Sequence, residues 1–132
     1  MTYQFEFNPE NKILLLRFEG QLTDKLTRHL YWEVRKYSTA TDASAAIFDL
    51  SAVTQFDVSP ELIRELVNRD PAMPDPTRRP RCLVAPPGIG LAISRLCEVA
   101  VEPRSPLFKI VLSLDEAFAA LSVQSPRFEP LK

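Results

Sequence analysis

A hydroxyl and two carboxylates stand close together in the stretch DLSAVTQFDVS, residues 49–59. Asp49 and Asp57 bracket the end of an apolar run, where paired carboxylates can support acid–base or metal chemistry, although turn formation is the plainer role. Ser59 precedes a proline and an amphipathic segment. Its hydroxyl can cap a helix, which contributes about 0.5 to 2 kcal/mol, or accept a phosphate that changes the charge of the surface. The cap is the simpler interpretation.

The other reactive side chains form no recognisable catalytic or zinc-binding set. His29 is the only histidine, and neither Cys82 nor Cys97 has partners at the spacing of a zinc site. We therefore predict reduced cysteines in the core, no enzymatic activity, and no cofactor or metal. Gly88 and Gly90 follow a predicted strand, where backbone N–H groups can hold a small anion, but a tight turn is the simpler interpretation.

Two further groups of side chains suggest contacts with partners. The densest basic group consists of Arg78, Arg79 and Arg81, which Arg95 and Arg104 can extend. It lacks interleaved aromatic residues and a recognition helix, so we predict a solvated loop or an acidic protein partner, and no nucleic acid. Tyr31, Trp32 and Tyr37 place aromatic mass on a predicted helix, which favours a homodimer or partner contact there.

Length and charge limit the possible classes of protein. The chain has 132 residues, with sixteen Lys and Arg against seventeen Asp and Glu, so no global field attracts nucleic acid or an anionic membrane. The longest apolar run, residues 13–16, is far shorter than the roughly 20 residues of a membrane span. The first residues also lack the features of a secretory signal, so we predict a cytoplasmic protein without a membrane span.

Hydrophobic periodicity predicts five strands and four helices. Alternation over residues 3–7 and an apolar run over 13–18 predict an opening hairpin that ends at Gly20. Leucine spacing predicts a helix over 23–37. Further strands are predicted at 45–48, 81–85 and 108–112, and further helices begin at Ser59, near Ile89 and at Ser113.

Alternating strands and helices define the fold class. Strands joined by right-handed helical crossovers become neighbours in a mostly parallel sheet, so we predict an α/β fold with an N-terminal hairpin. The domain is predicted to cover residues 1–123. Two prolines in residues 124–132 predict a loosely held C-terminal tail.

One motif within this order is informative about family. Asp49, Leu50, Ser51, Val53, Phe56, Asp57 and Ser59 match a pattern of Asp-Leu-Ser-x-Val-x-x-(apolar)-Asp-Ser-Ser-Gly that follows an apolar strand. The chain therefore resembles the STAS family, which includes the bacterial anti-sigma-factor antagonists. The resemblance in element order covers nearly the whole chain, whereas the residue match is confined to this dozen. It implies a STAS-like fold and a non-enzymatic signalling module that docks onto another protein.

The resemblance also implies a site. Ser59 corresponds to the serine that the partner kinase phosphorylates in the antagonists, so an anti-sigma-type serine kinase is the implied partner. The implied docking surface runs from Val53 to Leu66, with Asp57, Val58, Ser59, Glu61 and Arg64 as its contact residues. Val58 replaces the first serine of the motif, and Pro60 replaces its glycine. Pro60 also lacks an N–H that would help to hold a phosphate.

Two other functions stay open at the level of sequence. Related α/β folds use the space between sheet and helices for acyl chains, so a small apolar or lipid-like ligand is the alternative prediction. An enzyme that uses the turn at residues 86–90 is the least favoured.

Overall fold

The computed structural model of the protein describes residues 3–59, 61–62, 81–85, 108–124 and 126–131. Its strands are β1 (Tyr3–Asn8), β2 (Ile13–Thr23), β3 (Ala45–Asp57), β4 (Arg81–Val84), β5 (Phe108–Val111) and β6 (Glu129–Pro130). Its helices are α1 (Asp24–Thr41) and α2 (Leu114–Ala120). The strands of this part form one sheet in the order β5-β4-β3-β2-β1-β6. Neighbours from β2 to β5 are parallel, while β1 is antiparallel to β2 and β6.

This architecture confirms the predicted α/β fold class, with a mostly parallel sheet and an N-terminal hairpin. The sheet has six strands in the described residues, one more than predicted, because β6 was not foreseen. The predicted helix near Ile89 lies outside the described residues. Of the predicted helix that begins at Ser59, only Glu61 and Leu62 are described, and both are helical.

Side chains of β2 alternate between two apolar layers. Leu14, Leu16 and Phe18 pack in the cluster that α1 covers. Ile13 and Leu15 pack in a second cluster, which α2 covers from the opposite face. All five side chains are at most 5% exposed. A strand that is buried on both faces reads as a continuous apolar run, which accounts for the sequence of β2.

Strand β2 does not end at Gly20 as predicted, but continues to Thr23. Gly20 has a φ of 95°, and the pairing with β3 shifts register between Gly20 and Gln21. A glycine adopts such a backbone conformation without steric cost, so it places an irregularity inside the strand instead of terminating it. The added residues carry the chain directly into α1.

Strand β3 is also longer than predicted. Two irregularities in its pairing interrupt the alternation by which a strand is recognised in the sequence. From Asp49 to Ala52, β3 advances by three residues while its partner β2 advances by two. From Val53 to Gln55, β3 advances by two residues while β2 advances by one. Each step inserts one extra residue on β3, as a β-bulge does. Leu50, Val53 and Phe56 therefore reach the same apolar cluster although they are three residues apart. Regular alternation would have placed Val53 on the opposite face.

Residues 126–131 differ from the loosely held tail that two prolines suggested. Strand β6 pairs with β1, and the Leu131 N–H donates to the Phe5 carbonyl oxygen at 2.8 Å. The buried Asn8 side chain donates from Nδ2 to the Arg127 carbonyl oxygen at 2.6 Å. Phe128 stacks on Phe118 of α2 with ring centroids 6.0 Å apart. Backbone pairing and ring packing together fix this segment to the sheet.

Candidate functional site

The carboxyl ends of β2 and β3 bring two helix starts together. The strands are parallel neighbours, and Thr23 pairs with Asp57 at their shared end. Helix α1 begins immediately after Thr23, and the helical residues Glu61 and Leu62 follow closely after Asp57. Ligands and partners of open α/β sheets commonly bind at this edge, where loops and helix N-termini converge. The stretch that carries the motif therefore ends beside the first turn of α1.

Ser59 caps the helical turn that follows it. Its Oγ accepts a hydrogen bond from the Leu62 N–H at 3.2 Å, which is the geometry of an N-cap. The predicted cap is thus present. Ser59 itself is half-buried, while Val58 and Leu62 are 8% and 1% exposed and pack in the cluster under α1. Ser59 therefore lies at the edge of this core, with part of the residue exposed to solvent.

A carboxylate of α1 holds the backbone of Ser59. Asp24 Oδ1 accepts the Ser59 N–H at 2.7 Å. Asp24 is also the acidic residue in the first turn of α1, which Thr23 caps by accepting the Leu26 N–H at 3.3 Å. A carboxylate in this position is stabilised by the helix dipole. The sequence predicts Asp24 only as part of the helix over 23–37, because no local pattern signals a partner 35 residues away.

Two further carboxylates surround the serine on the solvent side. Asp57 is exposed, and its Oδ2 accepts a hydrogen bond from Gln21 Nε2 at 2.7 Å. Glu61 is exposed one turn further along. Together with Asp24, they place three acidic side chains near Ser59 in the described part of the chain.

The two aspartates of the motif do not act as a pair. Asp49 is 7% exposed within β3, and its Oδ1 accepts the Ser51 N–H at 3.0 Å and the Ser51 hydroxyl at 2.6 Å. Asp49 and Asp57 are eight positions apart along the strand, a distance on the order of 20 Å. Asp49 therefore supports the first irregularity of β3, and Asp57 belongs to the surface at the strand's end.

One of the predicted docking residues, Val58, is buried in the core. The burial of Val58 in the core contradicts the prediction that its side chain contacts a partner. Its apolar side chain fits the cluster under α1, where the motif of the family carries a serine. Asp57 and Glu61 are exposed and Ser59 is half-buried, while Arg64 lies outside the described residues.

The remaining candidates from the sequence are separated from this surface. His29 is exposed on α1, with its Nε2 3.0 Å from the Tyr3 hydroxyl, and Cys82 is buried in β4. The described residues contain no group of three or more His, Cys, Asp or Glu side chains that could hold a metal ion. No helix in the described ranges is long and apolar enough to cross a membrane. The sequence-predicted residues that lie outside the described ranges are Gly88, Gly90, Cys97, Arg78, Arg79, Arg95 and Arg104.

Comparison with solved structures identifies a known protein with the same fold. The arrangement of sheet and helices is that of the STAS-like α/β fold, the fold of anti-sigma-factor antagonists. Among solved structures, the anti-sigma factor antagonist SpoIIAA in its unphosphorylated form matches 91% of this chain and 97% of its own, with a TM-score of 0.58. The two sequences are 10% identical, so the likeness shows a shared fold alone. No protein-family model matches the sequence, and no curated protein is a significant match.

Proposed function

We propose that the protein is a non-enzymatic signalling module that docks onto a protein partner through the end of β3 and the helical turn that follows. The fold of an anti-sigma factor antagonist supports this role. Asp57 and Glu61 offer exposed carboxylates on both sides of the half-buried Ser59. The partner surface would then be basic where it meets these residues. A role of this type places the protein in the bacterial cytoplasm, together with its partner.

We further propose that phosphorylation of Ser59 by an anti-sigma-type serine kinase switches this docking. The observation that carries this step is the hydrogen bond of 2.7 Å from the Ser59 N–H to Asp24 Oδ1. A phosphate would add about 1.5 to 2 negative charges within a few ångströms of that carboxylate. Their repulsion would weaken the link between α1 and the turn after β3, and the added charge would repel a partner that recognises the unmodified surface.

Site-specific photo-cross-linking tests the docking surface. A photoreactive amino acid at position 57 or 61 should yield a covalent complex with one defined protein in cells of the source organism, identified by mass spectrometry. Glu10 provides the control, because it is equally exposed but lies in the hairpin turn at the opposite end of β2. Cross-linking of the same protein from position 10, or no defined product from positions 57 and 61, would contradict the proposal.

Intact-mass measurement tests the switch. Protein purified from its native cells, or incubated with the kinase that cross-linking identifies, should contain a fraction that is heavier by one phosphate. Ser59→Ala should abolish that fraction, whereas Ser51→Ala should preserve it, since Ser51 is an exposed serine of β3, eight positions before Ser59. Equal phosphate incorporation in Ser59→Ala and the unchanged chain would exclude Ser59 as the modified residue.

A further inference from the structure

The solvent-facing side of α1 carries a tryptophan among basic residues. Trp32 is 58% exposed and is the single tryptophan of the chain. On a helix, the neighbours of a residue are those three and four positions away. For Trp32, these neighbours are Arg28, His29, Arg35 and Lys36. With Lys25, one turn before Arg28 and His29, they form what we call the Trp32 face: Lys25, Arg28, His29, Trp32, Arg35 and Lys36.

Packing of α1 on the sheet leaves the Trp32 face in solvent. Leu26, Leu30, Val34 and Tyr37 face the opposite way and pack in the apolar cluster. Lys25, Arg28, His29 and Lys36 are all exposed. Arg35 is half-buried, and its guanidinium carbon lies 5.3 Å from the centre of the Trp32 ring. The indole is therefore held on the surface by a cation and is not a member of the core.

The Trp32 face has one sign of charge. Asp24 is directed to the Ser59 backbone, and Glu33 borders the face beside His29 and Lys36, roughly 100° around the helix from Trp32. Without the four Lys and Arg of the face, twelve Lys and Arg remain in the chain against seventeen Asp and Glu. A cationic face therefore stands on a chain whose remainder is acidic. Such a distribution orients a protein towards a negatively charged object.

The shape of the Trp32 face favours a flat anionic surface over a nucleic acid strand as its binding partner. It is the convex outer side of one helix, and Lys25 and Lys36 are about 16 Å apart along its axis. A flat anionic surface can meet all of its cations at once. A nucleic acid strand would instead need successive stacking platforms or amide side chains that read bases. The face has no Asn or Gln, and of its two aromatic rings, Trp32 and His29, the second contacts Tyr3.

The chemistry of tryptophan favours a lipid surface. Indole combines a large apolar ring with an N–H donor, and tryptophan concentrates at the headgroup level of membranes for that reason. Lys and Arg side chains near an anionic leaflet each strengthen binding about fivefold. We propose that the Trp32 face binds peripherally to an anionic lipid surface, with Trp32 at the level of the headgroups. This activity goes beyond the proposed docking function and uses none of its contact residues.

Vesicle binding by the full-length chain tests the proposal. The probes are vesicles of equal parts phosphatidylcholine and phosphatidylserine, compared with vesicles of phosphatidylcholine alone. We expect sedimentation with the anionic vesicles only, and a blue shift of the Trp32 fluorescence on binding. Since Trp32 is the single tryptophan, this signal reports directly on the face. Binding should fall steeply when the salt concentration is raised.

Charge reversal supplies the matched comparison. Lys25→Glu combined with Lys36→Glu should weaken binding to the anionic vesicles by at least about twentyfold, because two attractions become repulsions. Lys12→Glu combined with Arg127→Glu makes the same change in net charge at two exposed residues outside the face, and should retain most of the binding. Circular dichroism should show that both variants are folded.

Three results would overturn the proposal. The first is absence of binding to the anionic vesicles. The second is binding without a fluorescence shift, or with equal losses in the two charge-reversed variants. The third is tighter binding to a DNA fragment or to poly-glutamate than to the vesicles, which would identify a nucleic acid or an acidic protein as the occupant. None of these results bears on cross-linking from positions 57 and 61, so the two proposals can fail separately.

Discussion

Asp24 Oδ1 accepts the backbone N–H of Ser59 at 2.7 Å, and this hydrogen bond joins the first turn of α1 to the residue that starts the next helical turn. Asp24 lies in the first turn of α1, where the helix dipole favours a carboxylate, and Ser59 caps the helical residues Glu61 and Leu62. The contact fixes the position of the candidate docking surface relative to α1. It also makes that surface sensitive to any new negative charge on the serine.

Removal of the carboxylate should therefore cost stability. We expect Asp24→Ala to lower the free energy of unfolding by about 1.5 to 3 kcal/mol, since a hydrogen bond to a charged group is lost. Asp115→Ala is the matched control, because Asp115 is an exposed first-turn acid of α2. It should cost less than about 1 kcal/mol, the contribution of the helix dipole alone. Urea unfolding followed by circular dichroism measures both, and equal losses would contradict the role of Asp24.

A negative charge at position 59 should conflict with Asp24. Ser59→Asp preserves a capping oxygen but places a second carboxylate beside the first, so we expect it to destabilise the protein. In an Asp24→Asn background, the same substitution should cost about 1 kcal/mol less. A double-mutant cycle from unfolding curves measures this coupling. A coupling energy near zero would show that charge at position 59 does not reach Asp24, and would remove the physical basis of the switch.

The left-handed backbone at Gly20 predicts a ranking of substitutions. A Cβ at this position meets no atom within 4 Å, so the cost comes from the backbone φ of 95° and not from crowding. We expect Gly20→Ala to destabilise the protein by about 1 to 2 kcal/mol. Gly20→Asn should cost less and Gly20→Val more, because asparagine tolerates positive φ and β-branched residues do not. Thermal unfolding gives the order, and a smaller loss for valine than for asparagine would contradict it.

The hydrogen bonds of Asn8 should contribute to the attachment of residues 126–131 to the sheet. Its Oδ1 accepts the Asn11 N–H at 2.7 Å, while its Nδ2 donates to the Arg127 carbonyl oxygen. Asn8→Asp retains an acceptor for Asn11 but turns a carboxylate oxygen towards the Arg127 carbonyl. We expect it to cost about 2 kcal/mol or more, since a buried acceptor loses its donor.

Limited proteolysis separates local from global effects of Asn8→Asp. Cleavage within residues 126–131 should become faster than cleavage elsewhere in the chain. Pro9→Ala changes the exposed neighbour of Asn8 and provides the comparison, with little change in either stability or cleavage. Uniform acceleration of cleavage over the whole chain would show that Asn8 stabilises the hairpin instead of the C-terminal segment.

The fold was predictable from sequence wherever periodicity was regular. The apolar run over residues 13–18 predicted β2 and the apolar stripe at helical spacing predicted α1, although β2 continues to Thr23 and α1 to Thr41. In β3 the apolar residues Leu50, Val53 and Phe56 are three apart, which fits neither a regular strand nor a surface loop. Two extra residues of β3 in its pairing with β2 explain this spacing. They can be recognised only from the position of β2, which the sequence of β3 does not give.

The candidate site was predictable only in part. The Ser-Pro sequence predicts a helix start, and the structure confirms Ser59 as its N-cap. The contact with Asp24 depends on the parallel pairing of β2 and β3, which brings together residues that are distant in sequence. The Trp32 face had a local signal, since its basic residues recur at helical spacing around Trp32. This signal is weaker than that of the arginine-rich loop, because its basic residues are spread over twelve positions of the sequence.

The short strand β6 has a consequence for growth of the sheet. An exposed edge strand is a template on which other chains can add, and β1 would be such an edge if residues 129–130 did not cover part of it. The new edge carries the charge of Glu129 and a proline, which has no N–H to offer to an incoming strand. Residues 129–130 thus protect this side of the sheet against edge-to-edge aggregation.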